Sequence, residues 1–207
     1  MRVGWLAGAL TCVLAASVAN AALIGWECAD DGDGAVTMGQ MGWSYSSVSG
    51  DYSLTIPEVM NWSPAHLEGS FTSDTPTDPN VWVIKEVTNN MTGAWTGYKF
   101  NVYMMQPFSI PAATAPVGWN LTITPAAGPG SYFDSHGNSW SYMGAVDYVS
   151  TGPAYDIAVG SSGDFGAKLS FLGSVNFEIE QIAIVPEPAS LALLALGGLF
   201  LRRARKA

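Results

Sequence analysis

A chain of 207 residues with a formal net charge of −9 and 48% apolar residues can bury a sizeable core, and it is too acidic to attract nucleic acid or anionic lipid. The charge is divided unevenly: sixteen of the seventeen acids fall between residues 22 and 185, where the only bases are Lys85, Lys99 and Lys168, and the other cations sit at the two ends. Nucleic acid is therefore set aside as a partner, and the ends are read separately from the middle.

The N-terminal end is an export signal. Met1-Arg2 supplies a short positive region, Val3 to Val18 is apolar apart from small polar residues, and Ala19-Asn20-Ala21 forms an A-x-A cleavage site. Residues 1–21 are thus expected to be removed by signal peptidase, which leaves Ala22 as the first mature residue. Cys12 leaves with the signal. Cys28 then stands alone, so an oxidising compartment can form no disulfide within the mature chain, and a small apolar role inside a strand is expected for it.

Asp30, Asp31 and Asp33 place three carboxylates on a turn that Gly32 and Gly34 permit. Hard oxygen donors at this density suit calcium, the one cofactor the residues suggest, although solvated acidic turns between strands are common. The spacing is not that of an EF-hand. Aligned on Gly34, the first position is Ala29 and the twelfth Gln40, and neither offers the carboxylate that pattern requires.

From there the chain alternates with period two rather than 3.6. Strands are expected at 35–39, 41–48, 51–56, 66–71, 81–88, 98–104, 119–124, 139–148, 154–159, 167–172 and 174–184, with Pro- and Gly-bearing loops at 73–80 and 125–130. In 81–88, for example, Val81, Val83 and Val87 face one way and Trp82, Ile84 and Glu86 the other. Short strands at this spacing without helices between them predict an all-β fold, an antiparallel β-sandwich of jelly-roll or immunoglobulin-like topology. Most of the tryptophans and tyrosines are expected to fill its core, with Trp62 and Trp140, which adjoin turn residues, as the surface candidates for stacking on sugar. Asp134-Ser135-His136 sets carboxylate, hydroxyl and imidazole side by side, and His66 is the only other histidine. Sequence neighbours do not converge as a catalytic triad, so a polar turn is the reading here, and no catalytic residue is assigned.

The C-terminal end carries Pro186-Glu187-Pro188, an apolar run from Leu191 to Leu201, and the cations Arg202, Arg203, Arg205 and Lys206. Pro188 suits the first turn of a helix, and Glu187 suits the positive end of its dipole. The fourteen residues from Pro188 to Leu201 span roughly 21 Å against a hydrocarbon core of about 30 Å. The basic tail nevertheless acts as a stop-transfer signal, and its long side chains can snorkel across part of the gap. These three parts, in this order and at the terminus, resemble the PEP-CTERM sorting signal of Gram-negative bacterial surface proteins. The resemblance covers about residues 186–207 and implies that an exosortase, a membrane-embedded cysteine protease or transpeptidase, reads Pro186, Glu187 and Pro188.

Three parts follow: a signal peptide (1–21), an acidic β-sandwich domain (22–185), and a sorting signal with one transmembrane helix and a basic tail (186–207). The expected protein is not an enzyme. It is exported, held briefly in the inner membrane, cut by exosortase, and left at the cell surface or in the extracellular matrix or biofilm in a structural or adhesive role. A carbohydrate-binding module for extracellular polysaccharide is the alternative.

Overall fold

The computed structural model describes residues 23–74 and 79–186. The readings made on residues 1–22 and 187–207 lie outside the described residues; they include Ala19, Ala21, Glu187, Pro188, the apolar helix and its four cations. Among the described residues no helix is long and apolar enough to cross a membrane.

The described chain is all-β. One six-stranded sheet has the order β1 (Leu23–Asp30), β5 (Ala65–Ser73), β14 (Val175–Ile184), β7 (Gly97–Met104), β12 (Tyr142–Ser150) and β9 (Trp119–Ala127). The second has the order β2 (Val36–Met38), β4 (Asp51–Met60), β6 (Asn80–Asn89), β13 (Ser162–Phe171) and β8 (Phe108–Thr114), with β3 (Gly42–Ser46) also pairing with β4. A two-stranded ribbon, β10 (Tyr132–Phe133) with β11 (Ser139–Trp140), stands apart from both. Pairing is antiparallel except between β4 and β6. The chain leaves β4 for β5 in the other sheet before it returns as β6, so β6 runs in the direction of β4, and the crossover that parallel strands need is supplied by a strand.

The two sheets meet across an aromatic and aliphatic core. Phe71 of the first sheet stacks on Phe171 of the second at 5.3 Å between ring centroids, Tyr98 stacks on Phe165 at 4.2 Å, and the Tyr148 hydroxyl donates to the Gly166 carbonyl at 2.8 Å. Period two accounts for this core. Leu54 and Ile56, Val81, Val83 and Val87, and Tyr98, Phe100, Val102 and Met104 are all buried. Each such side chain contributes roughly 1.5–3 kcal/mol on leaving water.

The inward face of β6 also carries Lys85. Its Nζ lies 2.6 Å from Glu58 Oε2 with both side chains fully buried, and Gln181 Nε2 donates to the same oxygen at 3.4 Å. The Tyr98 hydroxyl in turn donates to Gln181 Oε1. Burial pushes the Glu58 carboxyl up, against the pull of Lys85 and Gln181. Four polar groups thus form one chain of contacts between the sheets, with Glu58 Oε1 left without a hydrogen-bond partner.

The structure corrects the expected strands in four places. Segment 154–159 is not a strand: it is a turn whose one ladder contact is the bridge between Ile157 and Trp95, because Gly152 and Pro153 precede it and Gly160 sits at a φ of 80° behind it. Loop 125–130 begins later than expected, since β9 runs through Pro125 to Ala127. Strand β8 was not expected, and neither was the short β10, whereas β1 gives bounds to the strand expected around Cys28. Both proline cases have one cause: β9 and β8, which contains Pro111, are edge strands, where a missing N–H costs no ladder bond.

Candidate functional site

The outer face of the first sheet carries an unusual row of polar side chains. Alternation sends Leu67, Ile179 and Val102 inward, so their neighbours His66, Glu180 and Asn101 point the other way. Register then aligns them: Glu180 pairs with His66 on one side and with Asn101 on the other. At the end of β1 Asp30 pairs with Leu67, which brings the next residue, Asp31, alongside His66. A second row, Glu68, Glu178 and Tyr103, lies beside the first.

His66, Asn101, Tyr103, Glu178 and Glu180 are buried because the segment around β10 and β11 folds over them, whereas Asp31 and Glu68 are exposed. Asp134 builds its turn. Its Oδ1 accepts from the Asn138 N–H at 2.9 Å, its Oδ2 from the Trp140 indole at 3.0 Å, and its carbonyl from the Gly137 N–H at 3.1 Å. Gly137 has a φ of 85°, a conformation that other residues rarely adopt. Burial works against ionising Asp134, yet hydrogen bonds from the Trp140 indole and the Asn138 N–H hold its carboxyl down at about 2. The closed turn points Ser135 and His136 back at the sheet.

His66, only 1% exposed, is the centre of the cluster. Its Nε2 lies 2.8 Å from Ser135 Oγ and 3.5 Å from Glu180 Oε1. Its Nδ1 has no hydrogen-bond partner and lies 3.6 Å from Asp31 Oδ2. His136 Nε2 reaches the same Asp31 oxygen at 3.5 Å, and the two imidazole rings are 3.8 Å apart between centroids. Glu180 accepts from Asn101 at 2.8 Å, from Tyr103 at 3.0 Å and from the Ser135 N–H at 3.1 Å. Burial would raise the Glu180 carboxyl, but hydrogen bonding from Ser135, Asn101 and Tyr103 outweighs it and keeps the group below its ordinary value. Glu178 in the next row behaves oppositely: burial first, then the adjacent Asp134, Glu68 and Glu180, push it up to about 8.

Nε2 of His66 is engaged by the Ser135 hydroxyl, while Nδ1 faces the Asp31 carboxylate. Ser135, His66 and Asp31 stand in the order nucleophile, base and acid, but the 3.6 Å edge between His66 and Asp31 is too long for the hydrogen bond that orients the base. The Ser135 backbone N–H is directed to a carboxylate rather than to an oxyanion pocket.

Of the three aspartates in the acidic turn, Asp31 alone enters this cluster. Its Oδ1 accepts from the Asp33 N–H at 3.1 Å, Asp33 Oδ1 accepts from the Ala35 N–H at 2.6 Å, and neither Asp30 nor Asp33 offers an atom to the histidines. Sequence singled out Ser135 and His136 as a polar turn and His66 as the other histidine, but nothing in it signalled that they converge, since sixty-nine positions separate His66 from Ser135. The surface tryptophans divide. Trp62 is 47% exposed and covers Gly34, whereas Trp140 is half-buried and tied to Asp134. Cys28 lies in β1, half-buried, with burial pushing its thiol up to about 11, which makes it a poor nucleophile.

At the far end of the body, β14 stops at Ile184, whose carbonyl accepts from the Thr96 N–H at 2.9 Å. Val185 packs on the core beside Gly93, and Pro186 leads away from it. Residues 185–206 match the family model for the PEP-CTERM protein-sorting motif. No curated protein and no solved structure matches the chain.

Proposed function

The chain carries a PEP-CTERM sorting motif, which marks an exported protein sorted through an exosortase; from that premise we propose that its body is a non-enzymatic β-sandwich with a structural or adhesive role at the cell surface or in the extracellular matrix. In this reading the signal peptide carries the body across the inner membrane, the C-terminal helix holds it there, and exosortase cuts near Pro186. The observation that carries the proposal is the matched motif at 185–206 following directly on β14, which leaves almost no linker between a folded body and its sorting signal. The 3.6 Å gap between His66 Nδ1 and Asp31, too long for a hydrogen bond, and the Ser135 N–H directed to Glu180 support a body without a working serine nucleophile.

Mass spectrometry of the released protein tests the processing. Mature material is expected to end before the apolar helix, and replacing Pro186-Glu187-Pro188 with alanines is expected to stop release. A tryptic peptide ending at Arg202 in released material, or unchanged release of the alanine variant, contradicts the proposal.

A carbohydrate-binding role is the second reading. It is favoured by a cleft on the outer face of the first sheet where Trp140 borders Glu27, Glu68, Asn138 and Asn176, the pairing of an aromatic wall with polar groups that sugars require. Affinity electrophoresis in polysaccharide gels should retard the protein and not its Trp140→Ala variant. Equal mobility of the two removes this reading.

A further inference from the structure

We propose that Asp31, His66 and His136 bind one divalent transition-metal ion of the zinc class, clamping the 134–138 turn to the edge of the first sheet. The three donor atoms lie within 4.8 Å of one another. The two measured edges, 3.6 Å from His66 Nδ1 to Asp31 Oδ2 and 3.5 Å from His136 Nε2 to the same oxygen, are too long for hydrogen bonds. They are close to the spacing of about 3.4 Å that tetrahedral angles and bonds of about 2.0–2.1 Å set between ligands of one ion.

A second observation is independent of that spacing. His66 Nδ1 is a buried polar atom with no hydrogen-bond partner, and it is directed at a carboxylate oxygen. With its other nitrogen, Nε2, engaged by the Ser135 hydroxyl, a lone pair on Nδ1 that faces this carboxylate oxygen repels it unless a cation stands between them. The opposite side of the ring is already arranged as a metal-bound histidine requires. Nε2 is held by the Ser135 hydroxyl with the Glu180 carboxylate behind it, the outer partners that orient a ligating imidazole and make Nδ1 more basic.

The donors choose the metal. Two imidazoles and one carboxylate favour zinc and its neighbours, whereas calcium takes six to eight oxygens and has no use for nitrogen. The side chain of His136 is 41% exposed, so its ring can turn to close the remaining edge, and a fourth position stays open to water. Because the ligands come from the end of β1, from β5 and from the turn after β10, binding joins three elements that are far apart in sequence.

The test uses the full chain without a polyhistidine tag, purified in detergent and freed of metal with a chelator. Titration calorimetry with zinc chloride is expected to give one site per chain. His136→Ala and Asp31→Asn, both in exposed turns, should each weaken it more than about 100-fold while the far-ultraviolet circular dichroism stays that of the parent. Ser135→Ala should weaken it by about 10- to 100-fold, since Ser135 positions a ligand and is not one. The visible bands of cobalt bound to the parent should be absent in His136→Ala and should survive millimolar calcium. No zinc binding, unchanged affinity in both the His136 and Asp31 variants, or displacement of cobalt by calcium would overturn the proposal. Each of these leaves the sorting reading untouched, because that reading rests on residues 185–206.

Discussion

Two carboxyls two residues apart on one strand face, Glu178 and Glu180, show how finely local donors decide protonation. Hydrogen bonding from Ser135, Asn101 and Tyr103 holds the Glu180 carboxyl below its ordinary value, whereas Glu178 is buried beside other acids and held at about 8 instead of its ordinary 4.5. The sign of its effect on stability follows. Below about pH 4.5 Glu178 carries its proton in the folded and unfolded chains alike, and it costs nothing. Between about 4.5 and 8 the unfolded chain ionises it while the folded chain does not, so stability falls as pH rises through that window. Glu178→Gln keeps the shape of the side chain without the ionisable group. Urea denaturation at pH 5 and pH 8 should show the variant gaining on the parent by about 2 kcal/mol over that interval, a figure reduced from the full shift because neighbouring acids share the proton. Parallel behaviour of the two proteins would mean that Glu178 ionises normally in the folded state.

At the scale of elements, β1 determines whether the candidate site exists, because it is an edge strand and its last turn delivers Asp31 to His66. Its seat on β5 depends on a close approach. A Cβ built at Gly69 would lie 2.3 Å from the Glu27 carbonyl oxygen and 2.5 Å from Phe177 Cζ, so only glycine lets the two strands and the ring beneath them fit together. Gly69→Ala is expected to cost about 1–3 kcal/mol in thermal or urea unfolding and to weaken metal binding by moving β1. Gly25→Ala on β1 itself is the control: its Cβ would meet only Thr72 at an ordinary 3.7 Å, and it should cost little. Equal effects at the two glycines would refute the close-approach argument. Strand β8, missed from sequence, and β1, expected only around Cys28, also lie at edges. Edge strands tolerate Pro111 and exposed residues that weaken the alternation by which central strands such as β6 and β7 are recognised.

On the scale of the whole molecule, function divides along the chain. The acidic body begins within two residues of the expected cleavage site after Ala21 and is packed as far as Val185, where the matched sorting motif starts. Removing both ends would therefore leave every described strand intact. A body trimmed in this way carries its own buried polar network, and one element of it, the pair formed by Lys85 and Glu58, links the stability of the second sheet to the first through Gln181.

The sorting end was legible in sequence because a membrane enzyme reads it as a linear segment: prolines, an apolar run and cations in order carry their meaning without a fold. The all-β class was legible because period-two burial is imposed residue by residue along each strand, as Val81, Val83 and Val87 show. The alternation that identified β6 did not distinguish Lys85 from its apolar neighbours, since its burial depends on Glu58 arriving from β4. The cluster of Asp31, His66 and His136 was equally hidden. Each residue lies in a separate element, and only strand register, which places Asp31 beside His66 and Glu180 behind it, together with the turn that Asp134 closes, brings them together. Sequence determines what acts as a line of residues, and tertiary structure decides what acts as a point, because convergence is set by pairing partners that no local pattern names.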